Sequence, residues 1–442
     1  DPQPPAEWER WRELLPHLQV VLGKVALPEG EVRAYASLLI RAGLFLYYQG
    51  RYSEAKLLLS QALMALQERT NGDSVMEIYC LNSLSGVYIF QGDTKGAEEL
   101  LSKALEIVPE DHTHLKAIIL SNLGLTYRIL CRYKDAEQKL REALEIFQQQ
   151  PDIQIVGCLN TLAGVCRVQG KYTEAEDFLD KLMEILENSE HRDDVAKAIC
   201  YHHRGLVYRM QGRYEEAEQQ YELALQTRIR YLGYEHHDTA ITLNNLGVLY
   251  GLQGRYREAE SVILDALRIL KNQLGEINLY SGICHNNLAS VYRELSDYDR
   301  SENHYLIALE MLQQTIGEEH PDTAGCYSNI ALLYRLRRRY DEAERYFKKS
   351  IEIRQKILGE ENYRAAICYN NLAELYYTRG KYANAEELFG KAFNTFKTVL
   401  GLKHPITLIV ATNYYTCLVA MGRYNDAHIL SLQVSEVQRN QS

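Results

Sequence analysis

The chain has 442 residues, a net charge of −10 and nine prolines, and hydrophobic residues run through its whole length. The acidic balance excludes generic nucleic-acid binding, which needs a basic field to neutralise phosphates. No uninterrupted apolar run reaches bilayer-crossing length, no signal-like apolar segment follows a basic N-terminus, and nine cysteines without a CxxC pair fit a reducing compartment, so a cytoplasmic protein is expected.

The first predicted element is a cap. Residues 7–22, EWERWRELLPHLQVVL, place Trp8, Trp11, Leu15 and Leu18 on one apolar stripe that Pro16 kinks or divides, so residues 1–34 are read as an N-terminal capping helical segment. From 35 to 442 one pattern returns, a tyrosine three residues before an alanine, or before Ser301 in one copy. Tyr52, Tyr133, Tyr172, Tyr214, Tyr256, Tyr298, Tyr340, Tyr382 and Tyr424 mark it, with Thr94 filling the gap, which makes ten repeats. From Tyr172 onward every step is 42 residues; the steps from Thr94 to Tyr133 and from Tyr133 to Tyr172 are 39. The four repeats before about residue 194 are thus less regular than the rest. A fixed period of this size predicts an all-α solenoid that grows by stacking units on their neighbours.

Each repeat reads as two helices. In the sixth, DTAITLNNLGVLYGLQG carries Ile241, Leu246, Leu249 and Tyr250 at helical spacing, with Asp238 or Thr239 available as N-cap and Gly254 as the stop. The second helix, residues 256–275, carries Ala259, Ile263, Ala266 and Leu267 on one face and ends near Gly275. Gly247, Ala259 and Ala266 let the two helices approach, while Leu246 and Tyr250 fill the space between them.

The Leu-Gly-x-x-Tyr of the first helix and the alanine pair of the second resemble the tetratricopeptide repeat, and all ten copies fit with variations. That resemblance implies a right-handed superhelix whose first helices line a concave groove. A period of 42 in place of about 34 adds roughly one turn to each helix. The linkers LGYEHHDTA at 232–240, IGEEHPDTA at 316–324 and LGLKHPITL from Leu400 resemble the kinesin light chain class, most closely from about residue 195. Trp8 with Leu14, Leu15, Pro16 and His17 resembles the opening of the sensor regions that follow the nucleotide-binding module of STAND-type signalling ATPases. The chain begins at Asp1 rather than Met, as a processed product or a piece of something longer would, and the second resemblance implies an upstream nucleotide-binding module.

Most chemistry-bearing residues fit structural positions. Cys80, Cys158, Cys200, Cys284, Cys326 and Cys368 each lie fourteen residues before their repeat's Tyr or Thr, a register that holds Thr242 and Val410 elsewhere, as expected of core thiols. No GxxxxGK[ST], GxGxxG after a strand, GxSxG or HExxH occurs, so neither enzymatic activity nor a cofactor is expected. His202–His203 and His236–His237 are the remaining metal candidates; adjacent helical residues point about 100° apart and no third ligand recurs at suitable spacing, so no metal site is expected.

Two polar ladders remain. Eleven residues before the repeat tyrosine stand Asn122, Asn245, Asn287, Asn329, Asn371 and Asn413, interrupted by Asn82 and Asn160 one residue earlier and by His203. In tetratricopeptide domains that clamp peptides, asparagine at this point resembles the residue that bonds the ligand backbone, a task suited to an amide's donors and acceptor. Five residues before the tyrosine stand Arg128, Arg167, Arg209, Arg293 and Arg335, about 120° around the helix, whose guanidinium forks suit carboxylates or phosphates. Leu125, Leu206, Val248, Ser290, Leu332 and Glu374 lie between the ladders as candidate side-chain pockets. The structural alternative is that the amides bond a neighbouring helix and the arginines pair with a glutamate of the next repeat. Two functions are expected: the C-terminal ligand-sensing region of a STAND-type signalling NTPase, holding a peptide or protein in its groove, or a stand-alone kinesin light chain-like cargo adaptor.

Overall fold

The computed structural model describes residues 32–439 except 49–50, 70–73, 92, 150–153, 189–193, 359–362 and 403; the segment with Trp8, Trp11, Leu14, Leu15, Pro16 and His17 lies outside the described residues. Among those described, every regular element is a helix, twenty in all, arranged as the ten expected pairs of an α-solenoid. None of them is long and apolar enough to cross a membrane. The chain divides into two compact units, one of residues up to 169 with 180–182, the other of residues 170–179 and from 183 on. The first holds Val32–Tyr48 and Tyr52–Arg69, Ser74–Phe90 and Thr94–Glu106, Thr113–Ile129 and Tyr133–Gln149, then Ile155–Val168. The second holds repeats 5 to 10: Asp194–Met210 and Tyr214–Leu232, His237–Leu252 and Tyr256–Leu274, Leu279–Glu294 and Tyr298–Ile316, Pro321–Leu336 and Tyr340–Leu358, Tyr363–Thr378 and Tyr382–Leu400, Pro405–Ala420 and Tyr424–Arg439. Helix Tyr172–Asn188 is shared between them.

Pairing within a repeat depends on one small-against-large contact. In repeats 1 to 9 the side chain nine residues before the tyrosine (or Thr94) is absent or short, and the one seven after it is large. A Cβ on Gly247 would stand 2.4 Å from Ile263 Cγ1, on Gly205 2.7 Å from Tyr221 Cδ1, and on Gly124 2.4 Å from Leu140 Cγ. In repeats 7 to 9 Ala289, Ala331 and Ala373 occupy that register and Tyr305, Phe347 and Phe389 the other, all buried. Close approach excludes water from both helices, and the dense packing supplies the stability a short helix lacks alone.

The linkers owe their shape to capping. Gly233, Gly317 and Gly401 leave the second helix at φ 92°, 84° and 82°, a region only glycine enters without cost. His236, His320 and His404 then cap the next first helix, each Nδ1 accepting the backbone N–H two residues on (Asp238 3.2 Å, Asp322 3.1 Å, Ile406 3.2 Å). The cap of repeat 6 is therefore His236, not Asp238 or Thr239 as expected from capping preference. Thr239 instead donates its hydroxyl to the Gly233 carbonyl at 3.0 Å, tying the helix start to the end of the previous helix.

A staple joins successive repeats. Arg255 lies 3.9 Å from the Tyr250 ring centroid and pairs with Glu258 of its own repeat and Glu218 of the preceding one, each at 2.7 Å. Arg213 and Arg339 do the same with Tyr208, Glu216 and Glu176, and with Tyr334, Glu342 and Glu302. The cysteines belong to the same packing: all nine are buried and free, and Cys200 and Cys326 donate to the Leu179 and Tyr305 carbonyls at 3.4 and 3.6 Å. Burial pushes the Cys326 thiol up to about 12, far from thiolate chemistry.

Repeat 7 also contains a titratable pair. His285 and His304 bring their Nδ1 atoms within 2.8 Å and stack their rings at 5.0 Å, so one nitrogen donates and the other accepts. Burial, aided by His304, pushes His285 down to about 4, and burial with Arg300 lowers His304 as well. Below the ordinary value of 6.5 the unfolded chain binds protons that the folded chain refuses, so stability is lost as pH falls from about 6.5 towards 4. Urea unfolding is expected to show His285→Gln recovering on the order of 1 kcal/mol of the wild type's loss between neutral pH and about pH 5. An identical pH dependence of the two proteins would remove the pair from this role.

Candidate functional site

The first helices of repeats 7 to 9 enclose a cavity of about 440 Å³. Asn287, Asn329 and Asn371 line it, one from each repeat, with Ile283, Leu332 and Ile367 as apolar wall, and Met210 of repeat 5 reaches the same space. Three asparagines predicted from the repeat register therefore do converge. Asn413 lies in a neighbouring cavity of about 290 Å³ with Arg335, Glu374 and Tyr377, where the two ladders meet. Asn122, in the other compact unit, lines a separate space of about 100 Å³ with Leu125 and Thr161.

What each amide does explains why asparagines come in pairs. The ladder residue donates backward, to the residue twelve before the tyrosine of the preceding repeat. Asn287 Nδ2 donates to Asn244 Oδ1 at 3.1 Å, Asn329 to Asn286 at 3.1 Å, Asn413 to Asn370 at 3.2 Å and Asn122 to Asn82 at 2.7 Å. Asn245 meets His202 Nε2 at 3.3 Å and also donates to the Ile241 carbonyl. Repeat 8 breaks the seam because it carries Ser328 at the accepting position, and the Ser328 hydroxyl takes the Cys368 thiol at 3.5 Å. Among the described residues Asn371 consequently makes no side-chain hydrogen bond, and its whole amide faces the cavity. An amide that donates one hydrogen inward still has Oδ1 and a second hydrogen for a ligand.

The arginine ladder is less available. Arg335 Nη1 pairs with Glu374 of the next repeat, and Glu374 also accepts from Asn370 at 2.9 Å and Asn413 at 3.2 Å. Glu374, read from the sequence as pocket lining, is the counter-ion. Arg293 is held by Glu294 at 2.8 Å and by the Tyr305 hydroxyl at 3.3 Å; its pKa is nonetheless raised, burial working against the pull of Tyr305 and Glu294. Arg128, Arg167 and Arg209 are half-buried, and Arg209 makes no hydrogen bond or ion pair among the described residues. Between the ladders Leu125, Leu206, Val248, Ser290 and Leu332 are half-buried, open enough to touch a bound chain. At the linker, His236, His237 and Asp238 each bring a ligand atom within 4.8 Å of the others, so a third donor does adjoin that pair, although His236 Nδ1 is used in the cap.

The tetratricopeptide repeat profile matches residues 34–110, 97–149, 156–228, 201–272, 281–356, 327–398 and 364–440. A comparison with curated proteins finds none that matches. Among solved structures the chain is similar to the apo form of the quorum sensor NprR from B. thuringiensis, with 17% identity over 83% of this chain and 99% of that one and a TM-score of 0.59. It is similar to a Rap protein complexed with competence and sporulation factor, with 14% identity over 92% and 99% and a TM-score of 0.54, and to the apo form of RapI, with 23% identity over 60% and 96% and a TM-score of 0.50. At such identities these likenesses establish the fold, an all-helical repeat array. Since the profile covers most of its length and the described helices fall in successive pairs along it, the chain belongs to the tetratricopeptide repeat family.

Proposed function

We propose that this chain is the ligand-sensing repeat region of a larger STAND-type signalling NTPase, and that it holds an extended peptide or protein segment in the groove of repeats 7 to 9. The observation that carries the reading is the convergence of Asn287, Asn329 and Asn371 on one apolar-walled cavity. Regularly spaced amides can bond an extended backbone whatever its side chains, and the flanking Ile283, Leu332 and Ile367 supply contact area. Two neighbours of the same fold are a quorum sensor and a Rap protein complexed with competence and sporulation factor, which supports a ligand-binding role for such an array. In this reading the protein works without chemistry of its own, in the cytoplasm, and Arg209, which makes no hydrogen bond or ion pair among the described residues, favours an acidic or phosphate-bearing partner. A kinesin light chain-like cargo adaptor is the second reading, favoured by the histidine-capped linkers at 232–240, 316–324 and 400–408.

Asn371→Ala tests the groove with least risk to the fold, because that amide makes no hydrogen bond among the described residues. Fluorescence anisotropy against peptide pools should show about a tenfold weaker affinity for the variant, with unfolding midpoints unchanged. Equal affinities for every pool would place recognition outside this groove. A nucleotide-binding module encoded upstream would favour the sensor over the adaptor; a heptad coiled coil would favour the reverse.

A further inference from the structure

Arg354 stands fourteen residues after its repeat tyrosine, where repeats 6 and 7 hold Leu270 and Leu312, and it is only 8% exposed. The other arginine in this register, Arg228 of repeat 5, is well provided for. Its Nη1 donates to the Asp238 carbonyl at 2.7 Å and to Thr242 Oγ1 at 2.5 Å, and the Asp238 carboxylate opposes its charge. The corresponding neighbours of Arg354 are Arg364 and Cys368, a cation and a thiol in place of an acid and a hydroxyl. Arg354 Nη1 donates to the Arg364 carbonyl at 2.6 Å, Nε has no partner, and no carboxylate pairs with it among the described residues. A buried guanidinium without counter-charge is costly to a fold that gains nothing from it.

The space beside it is open for a reason visible in the repeat. Fifteen residues before the tyrosine, repeats 6, 7 and 9 carry Ile241, Ile283 and Ile367, but repeat 8 carries Gly325. A Cβ built on Gly325 would lie 3.6 Å from Arg354 Nη2, so the side chain that would cover the guanidinium is the one repeat 8 omits. Gly325, Arg354 and Arg364 all line the groove cavity, and the carboxylate that shares it, Asp322, lies 3.7 Å from His320 Nδ1.

We infer that Arg354, Gly325 and Arg364 form a niche that takes an anionic group, a carboxylate or a phosphate, from the peptide in the groove. The inference rests on the peptide reading above and adds where the charge is received. The ladder arginines Arg293 and Arg335 already have acidic partners, whereas Arg354 supplies a fork with no acidic partner among the described residues, which a ligand anion completes.

The test uses fluorescein-labelled octapeptide pools in four forms: neutral with an amidated C-terminus, amidated with one glutamate, amidated with one phosphoserine, and neutral with a free C-terminal carboxylate. Wild-type chain is expected to prefer at least one anionic pool over the neutral amide by about tenfold. Arg354→Gln and Gly325→Ile should each bring that ratio close to one while retaining the neutral pool, and Asn371→Ala should lower all pools alike. Gly325→Ile installs the residue that other repeats carry, so it reports even if Arg354→Gln fails to fold. The pool that shows the preference names the source of the anion. Binding of all four pools with equal affinity, or a preference that survives Gly325→Ile, overturns the niche and leaves the peptide groove standing; failure of every pool to bind wild type overturns both.

Discussion

Phe347→Ala is expected to cost about 3 to 5 kcal/mol, the range for deleting a buried aromatic ring from a close-packed core. Phe347 is fully buried in the core of repeats 7 to 10, in the register that meets the short side chain of its partner helix, here Ala331. Ala331 cannot collapse into the space, because it is fixed on a helix whose other faces already pack against repeats 7 and 9. In a solenoid such a loss is not shared evenly: the interfaces on either side of repeat 8 weaken, and urea unfolding should change from one transition to two. A single transition with a midpoint close to that of wild type would mean that this contact contributes little.

The second large effect concerns Glu302, which gathers three donors from the next repeat: the Tyr334 hydroxyl at 3.0 Å, Arg337 at 2.7 Å and Arg339 at 2.8 Å. An isolated surface ion pair contributes at most about 1 kcal/mol, which by itself would make this staple negligible. The Glu302 side chain is only 21% exposed, however, and its bond to Tyr334 is a charge-assisted one inside the interface. Glu302→Ala should therefore cost about 2 kcal/mol, and a double-mutant cycle with Tyr334→Phe should return roughly 1 kcal/mol of coupling. Urea unfolding of the four proteins gives both numbers. A total below about 0.5 kcal/mol would class the staple with ordinary surface pairs.

The repeat was legible because packing imposes it. Ala259, Ile263 and Ala266 face inward and Gly254 ends its helix as periodicity predicts. Bonds between residues one repeat apart were legible only as an alternative, without the identity of the partners. Asn245 and His202 are 43 residues apart, and an asparagine ladder read one rung at a time cannot reveal that Asn287 donates to Asn244, Asn329 to Asn286 and Asn413 to Asn370 of the preceding repeat. The partner of Arg335 stayed unnamed for the same reason: Glu374 belongs to the next first helix, where it stands in a register that is mostly apolar. The histidine caps were missed because capping preference favours Asp238 or Thr239, whereas an imidazole Nδ1 reaches the same N–H from the preceding linker. Arg354 was hidden by its register, which is apolar in most repeats and gives no hint of a cation.

Three of the tight turns within repeats bend through a left-handed residue that is not glycine: Cys131, Ser296 and Arg338, at φ 60°, 61° and 61°. In repeats 4, 5, 6, 9 and 10 the equivalent turn has Gly170, Gly212, Gly254, Gly380 and Gly422. A Cβ in that conformation costs on the order of 1 kcal/mol. Ser296 and Arg338 fall in repeats 7 and 8, whose first helices line the groove. Two of the three strained turns thus belong to repeats that line the groove, and selection for a more heat-resistant chain would find ready gains in glycine at positions 131, 296 and 338.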